Sequence, residues 1–278
     1  RALCLSVVTL LTSILLVGLS SLLVPRGPAR AQGGVIHVDG AASGADDGTS
    51  WADAYADLQS ALSVASDGDE IWVAAGVYVP GVYTPGVTVS DTFTIPAGVA
   101  VYGGFAATET VRSERDWVAN PTVLSGDLGD DDGTDARGVV TDTERIAGTN
   151  AHHVVWLDGV TTPITESTRL DGVIVTAGQA DGSDDAARGG GVFCDGSGGG
   201  TCSPSLAHVT FSGNEAQSGG GMYNDGRDGG TSSPTLTGVV FRVVRSFFNL
   251  RLKRADTYEE VDNIMALFAP IALLSVPL

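Results

Sequence analysis

The sequence predicts an all-β fold, a right-handed parallel β-helix solenoid with an N-terminal capping helix. One observation is an internal repeat: residues 189–211 and 219–241 match at 13 of 23 positions without a gap, at an offset of 30 residues. The other is a succession of short β-branched and aromatic runs, separated by Gly, Asn, Asp and Pro. A repeat of this length, built from strands and turns, is typical of one coil of a solenoid.

The repeat also predicts which side chains form the core. An earlier copy lies 36 residues before the first, and the extra length falls in the acidic segment 181–188. Thr210 should point outward between two inward residues, because side chains alternate along a strand. We expect Asn214 to accept a positive φ in a turn over residues 212–214. The apolar positions aligned across the three copies are Leu170, Val173 and Val175, then Leu206, Val209 and Phe211, then Leu236, Val239 and Phe241.

Residues 35–68 are predicted to form a strand, 35–38, and a capping helix, 51–65. Ser50 and Asp53 have the spacing of a helix-capping box. The apolar face of the helix is expected to cover the open end of the solenoid and to bury Trp51, Tyr55, Leu58 and Leu62.

Residues 69–241 are predicted to form the parallel β-helix, about five or six turns. Each coil should pair in parallel with the next, so no two-residue hairpin turn is needed. Besides the repeats, the expected strands are 71–74, 92–95, 99–102, 123–124, 153–157 and 170–175.

The two ends of the chain differ from its middle. Residues 1–31 contain an uncharged apolar run and an Ala-x-Ala site before Gln32, which predicts a cleaved signal peptide or a retained signal anchor. The remainder is therefore expected to be exported, secreted or at the cell surface. Residues 242–278 begin with five positive charges and no acid up to residue 254. This atypical tail is interpreted as an ill-matched cap, a membrane-associating segment, or a foreign or disordered one.

Charge and cysteine content limit the function classes. Residues 32–241 hold 29 acidic residues, seven arginines and no lysine, a net charge of −22. This balance excludes nucleic-acid phosphate as a partner and leaves divalent cations, cationic partners or a solubilising surface. In an oxidising compartment, Cys194 and Cys202 are expected to form a disulfide across a glycine-rich loop, with free thiols as the alternative.

Two segments carry a resemblance to known families. Phe211-Ser212-Gly213-Asn214, followed by Gly219-Gly220-Gly221-Met222, resembles the FxxN and GGA-type repeats of polymorphic outer membrane proteins. The segments 38–62, 68–78, 99–105 and 124–133 resemble the start of bacterial secreted right-handed β-helix proteins, which share the pectin lyase-like fold. The resemblance covers residues 35–241 and implies a surface or secreted protein, often one without assigned chemistry.

The densest acidic cluster lies in residues 127–135. Asp127, Asp130 and Asp132 are the candidate ligands of a calcium ion, although the spacing departs from that of the EF-hand calcium loop. The alternative is a polar turn. No cofactor other than calcium is indicated.

Two further groups of residues could carry chemistry. Asp171, Asp195 and Arg188, the last close to Asp184 and Asp185, could form a carboxylate–arginine group that abstracts a sugar proton; ordinary surface charge is the alternative. His152 and His153 precede a strand, and a metal site there lacks a third ligand. We expect one ring in a turn hydrogen bond and the other in solvent. The catalytic residues remain unassigned.

These observations favour an exported, non-enzymatic β-helix, an adhesin-type scaffold that binds a polysaccharide or another surface partner. The alternative is a polysaccharide lyase or glycoside hydrolase of the pectin lyase-like fold, which rests on fold analogy. Any membrane contact is expected through the N-terminal segment.

Overall fold

The computed structural model describes residues 33–81 and 91–246, which form parallel sheets and one α-helix, α1 (Leu58–Val64). Segment 1–31 and the tail beyond residue 246 lie outside the described residues. The strands are β1 (Val35–Val38), β2 (Glu70–Ala74), β3 (Gly76–Tyr78), β4 (Phe93–Thr94), β5 (Ala100–Phe105), β6 (Thr122–Ser125), β7 (Val155–Asp158), β8 (Arg169–Asp171), β9 (Val173–Thr176), β10 (Gln179–Ala180), β11 (Val192–Asp195), β12 (Thr201–Cys202), β13 (Ser205–Ala207), β14 (Thr210–Ala216), β15 (Met222–Asp225), β16 (Thr231–Ser232), β17 (Thr235–Thr237) and β18 (Val240–Ser246).

Three sheets contain most of these strands. The first has the order β1-β2-β5-β8-β13-β17, and the third has the order β15-β11-β7-β4. The second has the order β10-β14-β9-β6-β3, with β18 also paired to β14, and β12 pairs with β16 in a small fourth sheet. From β2 onward the chain visits the first, second and third sheets in turn, so neighbours within a sheet come from successive passes of the chain.

The register agrees with the repeat. All pairs between the strands named above are parallel. Leu206 lies between Leu170 and Leu236, and Phe211 lies between Val175 and Phe241. The offsets of 36 and 30 residues inferred from the sequence are therefore the offsets of the ladders, and the parallel pairing is confirmed.

The core lies between the sheets, where inward side chains of successive strands stack. Val209 and Phe211 are fully buried, as predicted, and the Phe211 and Phe241 rings stack with centroids 4.8 Å apart. Val239 and Phe241 belong to the last described pass and are only half-buried against this core. Thr210 is also half-buried, on the opposite side of its strand.

The predicted turn at residues 212–214 is wrong in its detail. The strand β14 runs through this segment, and Gly213, with φ 61°, has the left-handed conformation that was assigned to Asn214. Asn214 is fully buried: its Nδ2 donates to Val175 O at 2.8 Å, and its Oδ1 accepts from Gly178 N at 3.0 Å. The asparagine thus binds backbone groups of the preceding pass, which a buried polar side chain requires.

The helix is shorter than predicted. It begins after Asp57, whose Oδ1 accepts from Ser60 N at 2.7 Å, and it ends at Val64. Leu58 and Leu62 are buried against the core beside β1, as expected. Trp51 and Tyr55 precede the helix and are half-buried, so the start at residue 51 and the full burial of these two side chains were wrong.

The physical reason is a competing turn. Ser50 and Asp53 form one of the two hydrogen bonds of the predicted capping box, from Asp53 N to Ser50 Oγ at 3.1 Å, and Ser50 Oγ also donates to Asp53 Oδ2 at 3.0 Å. Asp53 Oδ1 also accepts from Ala45 N at 2.9 Å, which ties this turn to the preceding loop. Asp57, four residues after Asp53, is the N-cap of the helix.

The sheet does not end at residue 241, where the composition of the chain changes. The strand β18 continues to Ser246 and pairs with β14 as far as Ala216. Arg242–Ser246 therefore belong to the second sheet, five residues beyond the predicted boundary. Within the described ranges, no helix has the length and apolar character to span a bilayer.

Candidate functional site

The acidic cluster brings together two of its three predicted residues. One carboxylate oxygen from each of Asp127, Asp131 and Asp132 lies within 4.8 Å of the others. The third group of the cluster is Asp131 and not the predicted Asp130, which takes φ 54° at a bend of the chain. Asp131 N and Asp132 N donate to the two oxygens of Asp127, at 3.2 and 3.1 Å.

Asp132 has an unusual environment. Burial raises its pKa to about 6, against the hydrogen bonds from Ala147 N and Asn150 Nδ2 that lower it, and the charges of Asp127 and Asp131 add to the rise. Asn150 is buried, and its Oδ1 has no hydrogen-bond partner within the described ranges. The cluster is thus a partly desolvated group of carboxylates, and calcium binding there remains a prediction.

The carboxylate–arginine trio is not assembled. Asp171 lies on β8, Asp195 lies on β11 in another sheet, and Arg188 pairs with Asp185 at 2.8 Å. Asp195 accepts from Ser197 N, the bond of a local turn. Asp171 and Asp195 thus lie in different sheets, and the proton-abstracting group stays a hypothesis.

The two adjacent histidines differ from the expectation of one bonded and one solvated ring. The Nδ1 atoms of both rings are within hydrogen-bond reach of backbone carbonyls, His152 at 3.2 Å from Gln179 O and His153 at 3.1 Å from Gly189 O. His153 is buried beside Trp156 and Phe193, and burial lowers its pKa to about 4. His153 is thus a neutral core residue at pH 7.

Cys194 and Cys202 are joined by a disulfide across an eight-residue separation. Both half-cystines are fully buried. In the next repeat their register partners are Asn224 and Ser232. The disulfide thus belongs to one pass of the chain, and the equivalent loop of the following pass lacks it.

A groove that sequence reasoning did not predict crosses the outer face of the second sheet. Its floor is formed by the register partners Ile174, Thr210 and Val240, whose strand neighbours point into the core. The groove has a volume of about 470 Å³. Two loops form its sides, residues 117–121 and 137–141. Its remaining lining residues are Gly172, Val173, His208, Ser212, Gly238, Arg242 and Val243.

The two side loops are held firmly on the sheet. Ser212 Oγ donates to Val140 O at 2.9 Å, and Val140 N donates to Thr176 Oγ1 at 3.0 Å. On the other side, the Trp117 indole stacks on the His208 ring with centroids 4.3 Å apart. The groove is therefore preformed, as most ligand sites are.

A buried carboxylate borders the groove. Asp171 is 4% exposed and accepts from Arg115 Nη2 at 2.7 Å and from Arg169 Nε at 3.1 Å. Burial alone would raise the pKa of Asp171, but hydrogen bonds from Arg115, His208 and Arg169 outweigh it and hold the pKa below its ordinary value. An ionised carboxylate only accepts hydrogen bonds, so His208 Nδ1, at 3.1 Å, is the donor.

The groove has the opposite charge to the chain as a whole. Among the described residues, its lining includes Arg137, Arg242 and His208 but no aspartate or glutamate. Arg137 pairs with Asp135 at 2.7 Å, whereas Arg242 is exposed and, in the described part of the chain, has no ion-pair partner. The single negative charge of Asp171 is paired with two arginines, Arg115 and Arg169, so these three residues place a net positive charge beside the groove.

A second hollow adjoins the first. It has a volume of about 430 Å³, and Trp117 belongs to both. Arg112 lies at its side, 4.5 Å above the Tyr102 ring and paired with Glu70. Trp117, Val118 and Val243 are 36%, 82% and 51% exposed, so an apolar rim accompanies these charges.

Sequence reasoning missed Trp117, Arg115 and His208. Arg115 and Trp117 lie in a segment without periodicity, and their partners Asp171 and His208 follow far along the chain. For His208 a signal was present, because the repeat aligns it with Gly172 and Gly238. Histidine is therefore the exception at a position that glycine holds in the other two copies of the repeat.

The chain matches no family model, no curated protein and no solved structure.

Proposed function

We propose that this chain is an exported, right-handed parallel β-helix with a capping helix, and that the groove beside Trp117 binds a polysaccharide. Three features support the β-helix: parallel pairing of the strands, ladders that link residues 30 or 36 positions apart, and repeated visits to three sheets in one order. The handedness rests on the general rule for crossovers between parallel strands.

Export is supported by two independent features. Residues 1–31 have the pattern of a signal segment. Disulfides such as that between Cys194 and Cys202 persist mainly in oxidising compartments. The resemblance to secreted β-helix and polymorphic outer membrane proteins agrees with this location, secreted or at the cell surface.

The observation that carries the binding function is the composition of the groove. It combines an exposed tryptophan, an apolar rim, hydroxyl groups of Thr141, Thr210 and Ser212, and guanidinium groups. Sugars present apolar C–H faces and hydroxyls, which tryptophan and short polar side chains match. A groove across successive strands also suits an extended polymer.

The charge of the groove favours an acidic polysaccharide. Arg137 and Arg242 lie on a protein whose residues 32–241 have a net charge of −22. A local positive region on an acidic surface attracts anionic ligands selectively and repels cationic ones. Uronate carboxylates and sulfate esters are groups that arginine binds well.

The enzymatic alternative has less support. Glycoside hydrolases generally act with two carboxyl groups that flank the scissile bond. Asp171 is a described carboxylate that borders the groove, but its oxygens already accept hydrogen bonds from two arginines and a histidine. A binding protein therefore fits the groove better than a hydrolase does.

The proposal is tested with four polysaccharides: polygalacturonate, alginate, chondroitin sulfate and neutral dextran. We expect the wild-type protein to bind at least one acidic polymer. Val118→Asp should weaken that binding roughly 10-fold, because it places a negative charge on the rim. Val160→Asp is the control, since Val160 is 48% exposed but lies outside the groove. The proposal is overturned if the wild type binds none of the four, or if Val118→Asp binds as tightly as the control.

A further inference from the structure

One corner of the fold carries glycine in two passes and histidine in the pass between them. Gly172, His208 and Gly238 follow the register partners Asp171, Ala207 and Thr237. Gly172 N donates to Ala207 O, and His208 N donates to Thr237 O, so the three residues occupy equivalent positions.

The backbone of this corner is left-handed throughout. The φ angles are 74° at Gly172, 52° at His208 and 62° at Gly238. Glycine adopts this conformation freely, whereas a residue with a Cβ does so at a cost in free energy. The presence of histidine in an unfavourable conformation points to a role for its side chain.

The neighbouring glycines leave room for the groups around that side chain. A Cβ at Gly238 would lie 3.2 Å from His208 Cδ2, and a Cβ at Gly172 would lie 2.5 Å from Arg115 Nη1. The glycines in the two neighbouring passes thus leave space for the His208 ring and for Arg115, which donates a hydrogen bond to Asp171.

The hydrogen bond to Asp171 fixes the proton on the His208 ring. With Nδ1 donating to the carboxylate, Nε2 is the acceptor in the tautomer that carries a single ring proton. Among the described residues, Nε2 has no hydrogen-bond partner. The side chain is 39% exposed and lines the groove. A histidine whose Nδ1 is held by a buried carboxylate therefore lines the proposed ligand site.

We propose that His208 is a ligand-binding residue, and that its Nε2 accepts a hydrogen bond from a hydroxyl group of the polysaccharide in the groove. Asp171 is a positioning residue that sets the tautomer and the orientation of the ring. This inference rests on the proposed function and names the group that recognises the sugar itself, whereas the arginines recognise its charge. The competing explanation is a structural one, in which His208 only supports Trp117 and Asp171.

His208→Asn separates the two explanations. Asparagine tolerates a left-handed backbone, and its amide can still donate to Asp171, but it has no group in the place of Nε2. We expect His208→Asn to melt within a few degrees of the wild type and to bind the polysaccharide roughly five- to ten-fold more weakly. His208→Gly, which matches the neighbouring passes, should retain or raise the melting temperature and weaken binding similarly.

The measurement is isothermal titration calorimetry with each of the four polysaccharides, beside a thermal melt of each variant. Wild-type affinity in His208→Asn overturns the inference and leaves the proposed function standing. A large loss of melting temperature in His208→Asn also overturns it, because the ring then serves the fold. If the wild type binds none of the four, the proposed function fails and the inference fails with it.

Discussion

At the scale of single residues, Asp171 is buried and Asp132 is half-buried, and the pKa values of the two carboxyl groups shift in opposite directions. Asp171 is surrounded by two arginines and a histidine, which hold its pKa below the ordinary value. Asp132 has acidic neighbours and only two hydrogen-bond donors, so burial raises its pKa to about 6. Partners, not depth alone, therefore decide which group stays ionised.

The raised pKa of Asp132 predicts a pH dependence of stability. Unfolded, Asp132 releases its proton near its ordinary pKa of 3.8, whereas folded it releases it near 6. Between these values the folded state binds more protons, so the contribution of this group to stability falls as pH rises from about 4 to about 6. The melting temperature of the wild type should therefore improve relative to Asp132→Asn as pH is lowered from 7 to 4. A difference that stays constant with pH would contradict the environment described.

The predicted calcium site is tested in the same melts. Calcium bound by Asp127, Asp131 and Asp132 favours the ionised carboxylates. Millimolar calcium at pH 7 should then raise the melting temperature of the wild type and leave Asp132→Asn unchanged. Equal responses of the two proteins would leave the cluster as an acidic turn.

Residue-level detail was the least predictable from sequence. The density of aspartates located the cluster, but choosing Asp131 over Asp130 required the φ of Asp130. The network of Asp171 links residues 115, 169 and 208, whose proximity depends on the three-dimensional path of the chain.

At the scale of elements, α1 illustrates what periodicity does and does not determine. The spacing of apolar residues correctly placed Leu58 and Leu62 in the core. It did not fix the start of the helix, because Ser50 and Asp57 each accept a hydrogen bond from the backbone N–H three residues later, and only the segment after Asp57 is helical. Trp51 instead packs beside Trp72, Tyr102 and Phe105 on the outer face of the first sheet.

The packing of α1 predicts unequal effects of one substitution at two sites on the same helix. Leu58 is 1% exposed, and Leu58→Asp should lower the free energy of unfolding by about 3–5 kcal/mol, since it buries an unpaired charge. Val64 is 48% exposed, and Val64→Asp should change it by less than about 1 kcal/mol. Urea denaturation measures both, and similar losses in the two variants would refute the orientation of the helix.

The disulfide offers a second test with a replacement taken from the chain itself. Substituting Cys194→Asn and Cys202→Ser together copies the residues of the following repeat. Loss of a cross-link over so short a loop should reduce stability by ~2.5 kcal/mol without changing the fold. Reduction of the wild type should give a similar loss in urea denaturation. A fully folded double variant with unchanged stability would show that the cross-link contributes nothing.

At the scale of the whole molecule, the sequence predicted the parallel sheets well. The offsets of 30 and 36 residues reappear as ladder partners, because stacking identical strands in register places like residues together. The groove could not be predicted, since its sides come from loops of unrelated sequence and its floor comes from three separate strands. The change of composition at residue 242 also misplaced the end of the sheet, because strand pairing tolerates polar outward residues.

The claim on which the groove, the His208 corner and the proposed β-helix all depend is that successive passes stack in register. Cysteines introduced at Ile174 and Thr210, or at Thr210 and Val240, would occupy facing positions on neighbouring parallel strands. Such neighbours have Cα atoms about 5 Å apart, within the range that a disulfide spans. Cysteines at Ile174 and Ser212 are the control, displaced by two residues.

Oxidative cross-linking followed by mass-spectrometric mapping is the measurement. We expect efficient Ile174–Thr210 and Thr210–Val240 cross-links and little cross-linking of the displaced pair. Equal cross-linking in all three variants, or a preference for the displaced pair, would contradict the register and the account built on it.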